Sequence, residues 1–175
     1  MQKASRIVLG LGLLLAAGFL FGQEKKVTPA DGHDIHVLAP HVVEGKVMGP
    51  YHHYCKGVSD TVLECLIYES TDPKALLVQV EYFVAKSVTT ANVPLDVWNK
   101  FYHDHAIEVA SGRVKVLDVP DEQANKIAES AAKTDGIIFH LWWPEGAKAP
   151  NGEVKHPQSV SHKAMTMDEF KNPNR

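Results

Sequence analysis

Cysteine occurs only twice in the 175 residues, at Cys55 and Cys65, which excludes a disulfide-dense scaffold and any multi-cysteine zinc module. Basic residues are not in excess either. Lys and Arg number 18 against 21 Asp and Glu, a formal net charge of −3, so there is no surplus to neutralise a phosphate backbone and no nucleic acid is expected as a partner. A Gly-rich phosphate loop, a dinucleotide fingerprint and a serine-nucleophile elbow are all missing. What is present is a globular composition, 45% hydrophobic and 22% charged, on a chain long enough for one well-buried core. Histidine is the abundant reactive residue, with ten copies, so the chemistry to look for is that of imidazole.

Residues 1–22 read as a secretory signal peptide, with Lys3 and Arg6, then an uncharged run from Ile7, then small residues Ala16, Ala17, Gly18 and Gly22. That run ends at Gly22, short of the ~20 apolar residues a spanning helix needs, so no transmembrane segment is expected after cleavage. The expectation is a periplasmic or secreted protein. No cysteine near the cleavage region is available for lipid attachment.

Residues 23–50, rich in Gly, Pro and His, read as an extended lead-in. Residues 51–152 form the expected core domain. Within it, Thr61 to Glu69 alternates at period two with Leu63, Cys65 and Ile67 on one face, and after the turn chemistry of Ser70 to Lys74 a second strand runs from Leu76 to Lys86. Pro94 to Tyr102 has helical spacing. Ala106 to Ala110 and Arg113 to Leu117 read as a hairpin around Ser111-Gly112. A second helix is expected from Pro120 to about Lys133, capped by Asp118 and ended by Gly136, followed by an apolar strand from Ile137 to Trp143. Residues 153–175 read as an irregular tail. The fold class is α+β: an antiparallel or mixed sheet of about four to six strands against two helices, with loop-rich termini.

Two clusters carry the candidate chemistry: His52-His53-Tyr54-Cys55, and His103-Asp104-His105 followed by Glu108. Residues two apart on extended chain share a side, so His103 and His105 converge only if that segment is not helical, and His52 and His53 point to opposite sides. Glu81 and His140 stand among apolar strand neighbours, where a carboxylate or an imidazole needs a partner. The candidate metal ligands are therefore His53, His103 and His105, with Glu81, His140 and His52. Zinc or copper suits such a set. Cys55 beside His53 or His103 also offers a thiol nucleophile, without a cysteine-hydrolase signature around it. Cys65, facing the core with Leu63 and Ile67, is expected to remain unpaired with Cys55.

Taken in order, His52-His53-Tyr54-Cys55, the strand Glu64 to Ser70, Val80-Glu81-Tyr82, the Trp98 segment with His103-Asp104-His105 and Glu108, and His140-Leu141-Trp142 resemble the oil body-associated proteins of plants and their bacterial and fungal relatives. The resemblance covers roughly Tyr51 to Gly152; it departs at both ends, in a shorter, different tail and in the export signal, which the plant proteins lack and which makes the expectation an exported bacterial member. Phe101-Tyr102 departs from it where the plant proteins place a tryptophan. It implies a shared fold and a shared cluster of His52, His53, Glu81, His103, His105 and His140, but no reaction. Three readings follow: a His-rich site for a divalent transition metal; a lipid-associated or interaction module with a buried polar network; and a hydrolase-type enzyme using the same pocket. Membrane-surface or lipid association stays open, and the oligomeric state is not legible.

Overall fold

The computed structural model describes residues 31–175, so the expected signal peptide lies outside the described residues. In chain order the elements are β1 (Ile35–Val43), β2 (Lys46–Ser59), β3 (Val62–Tyr68), β4 (Leu77–Ala85), α1 (Lys86–Asn92), α2 (Leu95–Phe101), β5 (Tyr102–Asp104), α3 (His105–Ala110), β6 (Lys115–Leu117), α4 (Asp121–Ala131), β7 (Thr134–His140), β8 (Gln158–Ser159) and α5 (Met167–Lys171). The class is α+β, as expected. The strands form one antiparallel eight-stranded sheet in the order β5-β7-β4-β3-β2-β1-β6, with β8 also paired to β1. Both counts exceed the expectation of four to six strands and two helices, because short strands and one- to two-turn helices leave little periodicity to read.

The segment read as a lead-in carries β1 and the start of β2. Glu44 and Gly45 join them, both at positive φ (49° and 79°), the geometry of a tight two-residue hairpin turn. A register shift separates the Ala39–Tyr51 and His41–Met48 pairs, and Val37, Ala39, His41 and Val43 stay buried on one face of β1 through it. The β3–β4 hairpin is antiparallel, as expected.

Three local readings are corrected. Ala106 to Ala110 is helix α3, because the Asp104 side chain accepts from the Ala106 backbone N–H at 2.7 Å and so starts a helix in a stretch of good helix formers. Asp118 does not cap α4, whose N-cap is Pro120; it takes φ 62° and meets His36 instead. Gly136 does not end that helix but lies within β7, which begins at Thr134. The tail contributes β8 and α5, the latter opened by a reciprocal Thr166–Glu169 capping box. Beyond it the Arg175 guanidinium forms a bidentate pair with buried Asp135 at 2.7 and 2.6 Å. No helix among the described residues is long and apolar enough to cross a membrane.

The expectation of two free thiols is also corrected. Cys55 on β2 stands directly opposite Cys65 on β3, with Cα atoms 4.0 Å apart, and the two form a disulfide. The reason is register: β2 already includes Cys55, so both side chains point to the same inner face. Thiol counting on denatured, unreduced protein should therefore find no free group. Replacing both cysteines by serine should lower unfolding stability by about 2–3 kcal/mol in denaturant titration, since a short loop is released.

Candidate functional site

Period-two alternation places one row of side chains on the inner face of the sheet: His53 and Cys55 from β2, Cys65 and Ile67 from β3, Gln79, Glu81 and Phe83 from β4, and Gly136, Ile138 and His140 from β7. Glu81 is in the middle of this row and only 2% exposed. A carboxylate this deep needs donors or cations to offset the loss of water. Four imidazoles surround it.

Oε1 of Glu81 lies 3.1 Å from His103 Nε2 and 3.2 Å from His105 Nε2, while Oε2 lies 3.5 Å from His53 Nε2. His53 Nε2 is in turn 3.1 Å from His41 Nε2. His103 stands on β5 and His105 opens α3, so the strand-to-helix switch at Asp104 brings two rings with centroids 4.8 Å apart onto one oxygen. Glu108, one helical turn after His105, places Oε2 3.8 Å and 3.9 Å from the Nε2 atoms of His103 and His105.

The outward nitrogens of three rings fix their tautomers. His53 Nδ1 donates to the carbonyls of Tyr51 (3.1 Å) and Val37 (3.3 Å), and His41 Nδ1 donates to Gln79 Oε1 at 2.6 Å. Thr134 spends its hydroxyl proton on the Ala131 carbonyl, so its oxygen accepts from His105 Nδ1 at 2.7 Å. With Nδ1–H committed, the neutral rings of His41 and His53 carry a lone pair on Nε2, that of His53 turned towards Glu81 and that of His41 towards His53, while His105 Nε2 lies within hydrogen-bond distance of Glu81 Oε1. Oriented donors of this kind, each held by a hydrogen bond on its far side, are what a metal ion requires of imidazole. The His41–His53 contact makes the same point, since two lone pairs face each other there unless a proton or a cation lies between them. His103 Nδ1 has no hydrogen-bond partner among the described residues.

Burial, helped by the nearby charge of His53, pushes His41 down from 6.5 to about 3, and burial likewise lowers His53 although Glu81 opposes it. Burial alone would raise Glu81, but hydrogen bonds and charge from His103 and His105 outweigh it and hold Glu81 well below the usual carboxylate range. Burial, with help from Glu81, raises Glu108 from 4.5 to about 7.

The cluster forms the polar end of a cavity of about 300 Å³. His41, His53, Glu81, His105 and Glu108 line that end, and the remaining walls are mostly apolar, including Val37, Phe83, Val109, Val116 and Ile127, with Gln123, Lys126 and Ser130 on the α4 side. Helix α4 spans one side with no fully buried residue, because its apolar face looks onto this space rather than onto a filled core. A concave apolar space with convergent polar groups at one end is the usual form of a small-molecule site.

Of the residues expected at a site, the structure brings His53, Glu81, His103 and His105 together. His140 joins indirectly: its Nδ1 accepts from Gln79 Nε2 at 3.1 Å, and Gln79 holds His41. His52 lies on the other face of β2, where its Nδ1 meets His36 Nε2 at 2.9 Å and His36 meets Asp118 at 2.5 Å. It takes no part in the cluster. His41, Gln79 and Gly136 were absent from the expected set, and Glu108 stood in the candidate cluster with His103 and His105 without being placed among the ligands. His41 could have been found from its period-two relation to Val37 and Ala39 on a strand too short of apolar residues to be read as one.

Gly136 makes the cluster possible: a Cβ there would lie 2.4 Å from both Glu81 Oε1 and His103 Nε2. Gly136→Ala should therefore destabilise the domain by about 1–3 kcal/mol, the usual cost of overpacking, by displacing both side chains. Thermal melts of the variant check this. The low value of His41 has a pH consequence. Its stabilising contribution is present above 6.5 and is lost as pH falls from 6.5 towards 3, because the unfolded chain binds a proton that the fold resists. Glu108 acts in the opposite sense, its contribution fading as pH rises from 4.5 to 7. In chelator-treated protein, His41→Asn should flatten the fall in melting temperature below pH 6.5.

The chain matches the family described as Protein of unknown function (DUF1264) over residues 27–173. Curated relatives are plant proteins. Oil body-associated protein 1B of Arabidopsis thaliana is 35% identical over 91 residues, 52% of this chain and 37% of the relative. Oil body-associated protein 2B of Zea mays is 31% identical over 91 residues, 52% and 36% of the two chains, and protein 2C of Arabidopsis thaliana is 31% identical over 113 residues, 62% and 47%. The chain thus spans less than half the length of these relatives. No solved structure matches. The expected periplasmic or secreted location is corrected by these relatives, whose names associate them with plant oil bodies rather than with an exported compartment. With a family match over most of its length and these relatives beside it, the chain belongs to the DUF1264 family of oil body-associated proteins.

Proposed function

We propose that this domain binds a divalent transition metal through Glu81 and the imidazoles of His41, His53, His103 and His105, at the inner end of a cavity that admits a small apolar molecule. The observation that carries this reading is the convergence of buried imidazoles around one buried carboxylate. His53, His103 and His105 place Nε2 at 3.5, 3.1 and 3.2 Å from Glu81, and His41, its Nδ1–H spent on Gln79, presents Nε2 to His53. Imidazole nitrogen with a single carboxylate is a donor set for zinc or copper. The apolar cavity wall supports a ligand of low polarity, and the relatives' names, which associate those proteins with oil bodies, support the same class.

A metal bound only by the folded state adds directly to stability. Protein purified without an affinity tag should contain zinc or copper by elemental analysis. Chelation should lower its melting temperature by several degrees, and re-addition should restore it. Glu81→Gln should keep the fold's shape and volume at that position yet lose most of the response. If wild-type protein is indifferent to both chelator and added metal, the cluster is a structural polar network and the proposal fails.

A further inference from the structure

The donors do not form one set. Among the described residues, groups whose ligand atoms all lie within 4.8 Å of one another number two: His41, His53 and Glu81; and Glu81, His103 and His105. They share Glu81 and nothing else. Its two oxygens are divided between them, Oε1 facing His103 and His105 and Oε2 facing His53. Glu108 joins only the second group, through contacts of 3.8 and 3.9 Å to its two imidazoles.

A single ion with metal–nitrogen bonds of ~2.0–2.1 Å draws donors from one compact shell, and each triad is such a shell. A carboxylate that turns one oxygen to each of two shells has the form of a bridge, which spans ions ~3.5–4 Å apart in two-metal sites. We infer that the cluster is a dinuclear centre in which Glu81 bridges one ion held by His103, His105 and Glu108 and a second ion held by His41 and His53. This rests on the metal-binding reading above and goes beyond it in number and arrangement. Supports on the far side belong separately to each half: Gln79 and the Val37 and Tyr51 carbonyls orient His41 and His53, whereas Thr134 orients His105. His41 and His53 from one half, and His105 and Glu108 from the other, line the same cavity, so both ions face one apolar space in which a ligand oxygen or water could be held between them.

The test is metal stoichiometry on the full chain, using zinc and, separately, copper(II), after dialysis against metal-free buffer. Wild-type protein should retain two ions per chain. His41→Ala should retain one, His103→Ala should retain one, and His52→Ala, which alters the imidazole pair on the outer face, should still retain two. Copper-loaded wild-type protein should show the half-field resonance of a coupled pair, and His41→Ala should show an isolated-copper signal instead. Circular dichroism identifies any variant that fails to fold, and the wild-type resonance then decides alone. One ion per chain with an uncoupled signal would overturn the dinuclear arrangement while leaving a mononuclear centre. Retention of no ion would overturn both. Loss of the second ion in His52→Ala would assign it to the outer face and would also overturn the inference.

Discussion

Glu81 lies on the inner face of a central strand, 2% exposed, and the rest of the site follows from the need to meet its charge. An unpartnered carboxylate there would cost several kcal/mol, enough to consume much of the stability of a single domain. The fold responds from several segments at once. The β1–β2 hairpin delivers His41 and His53, the β5–α3 junction delivers His103 and His105, and β8 closes over Glu108 through Ser159. Four imidazoles converging around one carboxylate exceed what a buried salt bridge needs.

Small residues create the room for this convergence. Cys65 lies between Cys55 and Glu81 in the sheet, in register with both, and the disulfide places two compact side chains beside the carboxylate. Gly136, opposite His103 and beside β4, removes the Cβ that would occupy the same space as Glu81 and His103. The apolar face of α4 then covers a cavity rather than closing on a core. Polar convergence and apolar volume thus come from the same inner face of the sheet.

The α+β class, the β3–β4 hairpin and α4 were legible because period two and helical spacing run through long enough segments there. Glu81 and the His103–His105 pair were legible because polar residues in apolar surroundings demand partners. Period two also foretold that only one of His52 and His53 could face the site, although His52 entered the expected set through the family resemblance. What escaped depends on register and on short elements. Strand β1 interleaves histidine and proline with its apolar residues, so neither the strand nor His41 stood out. Without the extent of β2, the pairing of Cys55 with Cys65 could not be seen. A side-chain cap at Asp104 turned an expected strand into α3, and that helix is what brings Glu108 back onto the two histidines.

The most direct test of a metal centre built around Glu81 is where an ion binds in a crystal. Anomalous difference maps from zinc-soaked crystals, collected on both sides of the zinc absorption edge, should place density within bonding distance of Glu81 and of the Nε2 atoms of His103 and His105. Density confined to the outer face at His36 and His52, or none beside Glu81, would contradict the account.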